Sequence, residues 1–346
     1  MTRQHSNDAP ADERATPAVH PFARFLRIVA RGETLSRPLD QDEANDAMRM
    51  MLRGEAEPVQ IGAFLAILRY RQESATEIAG FVRAARGLRQ VPEHAHADLD
   101  WPSYADVHRQ LPYFLLAALL IAETGTRVLV HGIEGSGPVT TVATLGALGI
   151  SLSPTADSAA RALERDSFAY LQLGVACPAL RRLFGLRPLL SLRTGANTIA
   201  RELNPFNAPH QMQGVFHPNY VAKHQEASLL IGQPNAAIFK GGAGEAQRNP
   251  QKACRVALVR DQAGAEEVWP VLDDGAPYAW REEPLEPARV AALWRGTWQA
   301  KAPEAAVIGT AAIALRLLGR SPNIAAAEAM ARDLWTRRPK SKYGCG

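Results

Sequence analysis

The chain has 346 residues, 47% hydrophobic and 21% charged, enough to bury one large core or two moderate ones and too apolar for a disordered protein. No apolar run reaches the roughly 18–20 residues that span a bilayer; the longest, Leu115 to Ala122, lies between Pro112 and Glu123, so a helical membrane span is not expected. The formal charge of +4 permits an anionic partner without requiring one.

Residues 1–19 read as a polar, disordered tail with no apolar stretch of a signal peptide, and a cytoplasmic location is expected. Residues 20–92 read as a small all-helical module. Phe22, Phe25, Leu26 and Val29 recur at helical spacing, and a second helix opens after Ser36-Arg37-Pro38-Leu39 with Asp40, Asp42 and Glu43 in its first turn and stops at Gly54. A third spans Pro58 to Tyr70, and a fourth opens on the capping box of Ser74 and Glu77. An apolar stripe through Met48, Met51, Leu52, Ile61, Phe64, Leu65 and Leu68 exceeds what one short bundle needs internally.

Residues 97–336 change texture to α/β. Strands are expected at Arg127 to Val130, Ala236 to Phe239 and Arg255 to Val259, with apolar helices at Ala305 to Leu318 and Ile324 to Trp335 and a basic tail over 337–346. Strands alternating with helices predict a central, mostly parallel sheet. Cys177, Cys254 and Cys345 are widely spaced and lack metal-ligand spacing, as do His94 and His96, so reduced thiols and no metal site are expected.

The most distinctive segment is Arg193-Thr194-Gly195-Ala196-Asn197, running on to Asn204-Pro205 and followed by Gly214-Val215-Phe216-His217-Pro218. With the helical module before the α/β region, it resembles the anthranilate phosphoribosyltransferase family and its relatives the pyrimidine-nucleoside phosphorylases, from about His20 to about Trp335. The resemblance implies a small helical domain that forms a homodimer, a larger α/β transferase domain, and an acceptor side lined by Arg193, Asn197, Asn204 and Pro205.

The donor side departs from the family. Its Gly-Thr-Gly-Gly-Asp loop corresponds to Pro102-Ser103-Tyr104-Ala105-Asp106, where Pro102 lacks an N–H and Tyr104 and Ala105 carry Cβ atoms in place of glycine. Its Lys-His-Gly-Asn-Arg element reads Val130-His131-Gly132-Ile133-Glu134, and its magnesium-binding Asp-Glu pair reads Ala246-Gln247. A pyrophosphate there loses two cations and meets a carboxylate, and magnesium loses its hard ligands. Asp106, His131, Gly132 and Asn197 stand as donor-site remnants, with no catalytic residue, metal or cofactor assigned. This pattern resembles a divergent, YbiB-like second branch of the family, found in bacteria and associated with nucleic-acid binding.

The residues themselves point the same way, because cations cluster between Arg181 and Arg255 with few carboxylates among them. Arg193, Arg201, Lys240, Arg248, Lys252 and Asn204 are the expected phosphate- or nucleic-acid-binding residues, with the Lys240-Gly241-Gly242-Ala243-Gly244 loop offering amides to an anion. Tyr104, Phe206, His210 and Tyr220 are candidate stacking groups for a single strand of DNA or RNA. Ser136, Thr140 and Thr141 follow His131 in a loop of ordinary composition. Two readings result: a homodimeric, largely sequence-independent nucleic-acid-binding protein with a degenerate donor site, or a glycosyl or phosphoribosyl transferase with a non-standard donor or acceptor. A purely structural partner protein is a third.

Overall fold

The structure is a computed structural model and describes residues 18–32, 34–105 and 108–343. Asp106, Cys345 and most of the expected N-terminal tail lie outside the described residues.

Four helices come first: α1 (Ala23–Val29), α2 (Gln41–Arg53), α3 (Pro58–Arg71) and α4 (Ala75–Arg86). Asp40 caps α2 by accepting from the Asp42 and Glu43 amides at 3.0 and 2.8 Å, Glu43 returns to the Asp40 amide at 3.0 Å, and Gly54 closes the helix at φ 76°. The capping box expected at Ser74 and Glu77 opens α4. Glu77 is fully buried, where its carboxylate also receives the Leu39 amide and the Arg71 guanidinium, so this interior charge is neutralised. Phe22, Phe25, Phe64 and Phe81 meet edge to face at centroid distances of 5.4 to 6.2 Å.

The apolar stripe read from the sequence as surplus is spent inside the chain. Met48, Met51, Leu52, Phe64, Leu65 and Leu68 are all buried, and their core is continuous with Leu129 and Leu171 on one face of the sheet. The apolar residues that α3 turns to solvent are different ones, Val59 at 78% and Tyr70 at 93% exposure.

The remaining elements are β1 (Leu99–Ser103), α5 (Phe114–Ala122), β2 (Val128–Gly132), α6 (Thr141–Ala147), α7 (Ala156–Asp166), β3 (Phe168–Gln172), α8 (Leu173–Ala176), α9 (Pro178–Phe184), α10 (Arg187–Leu190), α11 (Ala196–Arg201), β4 (His210–Val215), α12 (Asn219–Leu230), β5 (Asn235–Lys240), β6 (Cys254–Arg260), β7 (Ala263–Trp269), α13 (Pro287–Arg295), α14 (Lys301–Leu317) and α15 (Ile324–Arg337). The seven strands of the described residues form one sheet in the order β3-β2-β1-β4-β5-β6-β7. The first five are parallel, and β6 and β7 add an antiparallel edge. The sheet is thus mostly parallel, as expected. Helix α5 is buried along its whole length, and α14 along most of its own; both lie in the core on the other face.

The basic C-terminal segment packs onto the body of the protein. The Arg338 guanidinium lies 3.5 Å from the Trp335 ring centroid and donates to the Leu293 and Trp294 carbonyls, while Lys342 and Tyr343 both meet Glu123.

Helices α2 and α4 approach closely because Gly80 has no side chain: a Cβ there would lie 2.4 Å from the Gln41 carbonyl oxygen and 2.6 Å from the Ala44 Cβ. Gly80→Ala should therefore destabilise the protein, although alanine in a free helix gains about 1 kcal/mol over glycine. Urea unfolding followed by circular dichroism checks the sign, and a rise in midpoint would contradict this account.

Candidate functional site

In an open parallel sheet, ligands gather beyond the carboxyl ends of the strands where the strand order reverses. Here that point lies between β1 and β4, the central neighbours from which the chain runs outward in both directions. A pocket opens beside it, lined by Arg193, Asn197, Thr198 and Arg201 from the α11 region, by Val215, Phe216 and His217 at the end of β4, by Tyr220 and His224 of α12, by Arg69 of α3 and by Glu73 between α3 and α4. Arg193 and Asn197 both donate to the Tyr104 carbonyl just after β1, at 2.9 and 3.3 Å, which fastens the distinctive segment to the strand end.

His224 and Glu73 of this pocket escaped the sequence reading. His224 Nδ1 lies 2.7 Å from Glu202, whose other oxygen receives the Gln213 amide at 2.8 Å and the Ser228 hydroxyl at 3.1 Å. The imidazole is thereby held in one orientation with its ring on the pocket. Glu73 is 2% exposed; Tyr220 donates to its Oε2 at 3.1 Å, and its Oε1 is buried without a partner. Burial pushes its carboxyl above the ordinary value. The one signal near Glu73 in the sequence is the adjacent capping Ser74, which marks a helix start and not a site.

The described positions expected on the donor side are hydrogen-bonded within the protein. His131 is fully buried, with Nε2 at 3.2 Å from Asp100 and Nδ1 at 2.8 Å from the Tyr104 hydroxyl. Burial pushes the Tyr104 hydroxyl well above its usual range, so it meets the imidazole as a neutral group. His131 is an interior hydrogen-bonding group in this structure, and Tyr104 is no stacking platform. At Gly132 a Cβ would meet the Ser103 carbonyl at 2.2 Å, so this glycine serves the β1–β2 approach. Ser103 and Thr141 bond each other at 2.8 Å, Thr140 caps α6, and Glu134 pairs with Arg181 at 3.0 Å.

The magnesium position does not fit a metal. Gln247 spends its amide on the Phe114 N–H at 2.9 Å and the Leu111 carbonyl at 3.3 Å, Ala246 has no ligand to offer, and the adjacent Glu245 accepts the Ala105 amide at 2.7 Å. Among the described residues there, a single carboxylate with one oxygen already engaged is a poor cage for a hard cation. Among the described residues no cluster of three histidine, cysteine or acidic side chains is assembled, and no helix is long and apolar enough to cross a membrane.

Four of the six expected anion ligands are likewise engaged within the protein, Arg193 through the Tyr104 carbonyl. Arg201 is buried and donates to the carbonyls of Asn197, Gly214 and Gly244 at 3.0, 2.9 and 3.2 Å. Arg248 has no exposed surface; it pairs with Glu328 at 2.8 Å, donates to the Pro270 carbonyl and packs over Trp269. Asn204 is buried at φ 42° and braces its turn through Ala208 and Gln233. Phe206 is buried, and half-buried His210 bonds the Asp98 carbonyl. These residues read as free cations and rings because backbone carbonyls, the acceptors that satisfy most of them, are invisible in a list of carboxylates. Lys240 and Lys252 remain exposed, and with Phe216, half exposed, they line a cleft of about 990 Å³ beyond β5 and β6.

The helical-bundle domain of the glycosyl transferase family matches residues 23–88, and the a/b domain of that family matches residues 114–334. The chain belongs to the glycosyl transferase family. It is similar to the anthranilate phosphoribosyltransferase of Geobacillus kaustophilus (strain HTA426), 29% identical over 317 residues that cover 90% of this chain and 92% of the relative. It is also similar to the uncharacterized protein YbiB of Escherichia coli (strain K12), 26% identical over 281 residues, 76% of this chain and 88% of that one. The crystal structure of anthranilate phosphoribosyltransferase from Thermus thermophilus superposes with a TM-score of 0.76 at 26% identity over 90% of this chain and 94% of that one. The Saccharomyces cerevisiae enzyme in complex with PRPP and Mg shares the fold, with a TM-score of 0.70 at 15% identity over 91% and 94%.

The raised Glu73 carboxyl has a measurable consequence. A group whose folded value lies above its unfolded value near 4.5 contributes stability below that pH and loses it as pH rises through the folded value. Glu73→Gln, which keeps the acceptor for Tyr220, should leave stability at pH 4 nearly unchanged and raise it at pH 7. Chemical unfolding at the two pH values tests this, and equal effects at both would show that the buried charge costs nothing.

Proposed function

We propose that the chain is a transferase of this family whose acceptor is held in the switch-point pocket and whose donor is held without a magnesium–pyrophosphate clamp. The observation that supports it is the Arg193–Asn197 segment, fastened to the end of β1 and lining an opening at the point where this topology gathers ligands. Arg193 brings a planar cation suited to a carboxylate or phosphate on the acceptor. His224, oriented by Glu202, is placed to take the acceptor's proton.

Calorimetric titration with phosphoribosyl pyrophosphate and with sugar 1-phosphates, in magnesium and in EDTA, tests the reading. Saturable binding of one of them with unchanged affinity in EDTA is expected. Binding of none, or strictly magnesium-dependent binding, would overturn it. With the donor that binds, His224→Gln should lower kcat by about 10²–10⁴, the usual range for a general base, and leave donor affinity unchanged.

Nucleic-acid binding is a second reading, favoured by the exposure of Lys240 and Lys252 beside the half-exposed Phe216. In the same proposal the chain works as a homodimer, joined through the outer face of α3 where Val59 and Tyr70 stand in solvent. A twofold dimer would double the number of contacts offered to a long polymer. Light scattering is expected to give a dimer that Val59→Lys with Tyr70→Lys converts to a monomer. Anisotropy of a labelled single-stranded oligonucleotide should fall steeply between low and high salt; salt-insensitive binding would remove this second reading.

A further inference from the structure

The cleft of about 990 Å³ beyond β5 and β6 lies apart from the pocket at the switch point. Its walls come from the turn after β4, helix α12, the Lys240–Gly244 loop, strand β6 and the segment around Trp280, and the two openings share only Phe216 and His217. Of the donor-side positions, Gln247 lines it and 102–105 and 130–134 do not. We propose that this cleft is a binding site for a nucleotide unit, with the phosphate at Lys240 and Lys252 and the ring against Phe216 and Trp280.

The chemistry of the lining points to that class. Cations predominate: Lys240, Lys252 and Arg281 are exposed there, whereas of the two lining carboxylates Glu266 is already paired with Arg255 at 3.0 Å, leaving Glu282. An occupant that carries negative charge meets the exposed lysines. The other half of the surface is flat and apolar. Phe216 leaves half of its area in solvent at the mouth, and Trp280 is braced edge to face by Tyr113 and Tyr278 at centroid distances of 6.4 and 4.7 Å, which presents a rigid ring. Phosphate oxygens and an aromatic base in one molecule match both halves, whereas inorganic phosphate uses only one.

The site holds whether or not the switch-point pocket supports transfer, and it gives the nucleic-acid reading a place for one unit of a strand. Isothermal titration with adenosine 5′-monophosphate, uridine 5′-monophosphate, inorganic phosphate and a short oligothymidylate separates the sources. Saturable binding of a monophosphate, at least tenfold tighter than phosphate, is expected. Lys240→Ala with Lys252→Ala should weaken it tenfold or more, Phe216→Leu about fivefold or more through lost stacking, and Arg193→Ala should leave it unchanged. If the monophosphates and the oligonucleotide compete, the cleft receives a strand. Binding of the oligonucleotide without either monophosphate, phosphate binding as tight as the nucleotide's, or nucleotide binding indifferent to the cleft variants while abolished by Arg193→Ala would each overturn the proposal. Unfolding midpoints of the variants, measured alongside, separate a lost site from a lost fold.

Discussion

One buried guanidinium organises the middle of this protein. Arg201 ends α11, and its nitrogens reach the carbonyls of Asn197, Gly214 and Gly244, joining a helix, a central strand and the loop beyond the next strand. A charge in that position is tolerable because backbone dipoles fixed by the fold are turned toward it. Around it runs a polar seam unusual for the centre of a parallel sheet. Asp100 receives Gln211 and His131, and Glu202 receives Gln213, Ser228 and His224. Such a seam specifies how β1 meets β4, since a slip of one residue would turn every partner to the wrong face. The switch-point pocket inherits its geometry from that register.

The residues expected on the donor side bond one another inside the protein: Glu245 accepts the Ala105 amide, Gln247 accepts that of Phe114, Ser103 pairs with Thr141, and Tyr104 pairs with His131. These polar groups belong to the core and hold the ends of the central strands in place, so their first contribution is to the fold.

The helical module and the closing helices were legible because their signals are local. The acidic turn from Asp40, the capping box at Ser74, proline at Pro58 and a left-handed glycine at Gly54 act within one turn of chain. Strands β2, β5 and β6 were legible as apolar runs. Strand β4 was not, because His-Gln-Met-Gln carries no apolar alternation and its glutamines face partners distant in sequence. The same distance hid the fate of the arginines: Arg248 meets Glu328, and Arg182 meets the Leu52 carbonyl. It hid His224 and Glu202 as well, which meet across 22 residues. Arg193 and Asn197 were legible as a motif, yet their shared acceptor, the Tyr104 carbonyl, was not.

Helix α5 carries a consequence for how the chain is made. It is apolar on every side, and α14, the helix that packs along it, is synthesised only after the sheet and its antiparallel edge. During synthesis α5 therefore emerges long before its cover, with no polar face to turn toward water. Such a segment is a natural client for a chaperone and the first place where overexpression would drive aggregation. The growing chain thus passes through an interval in which its most buried element is its most exposed.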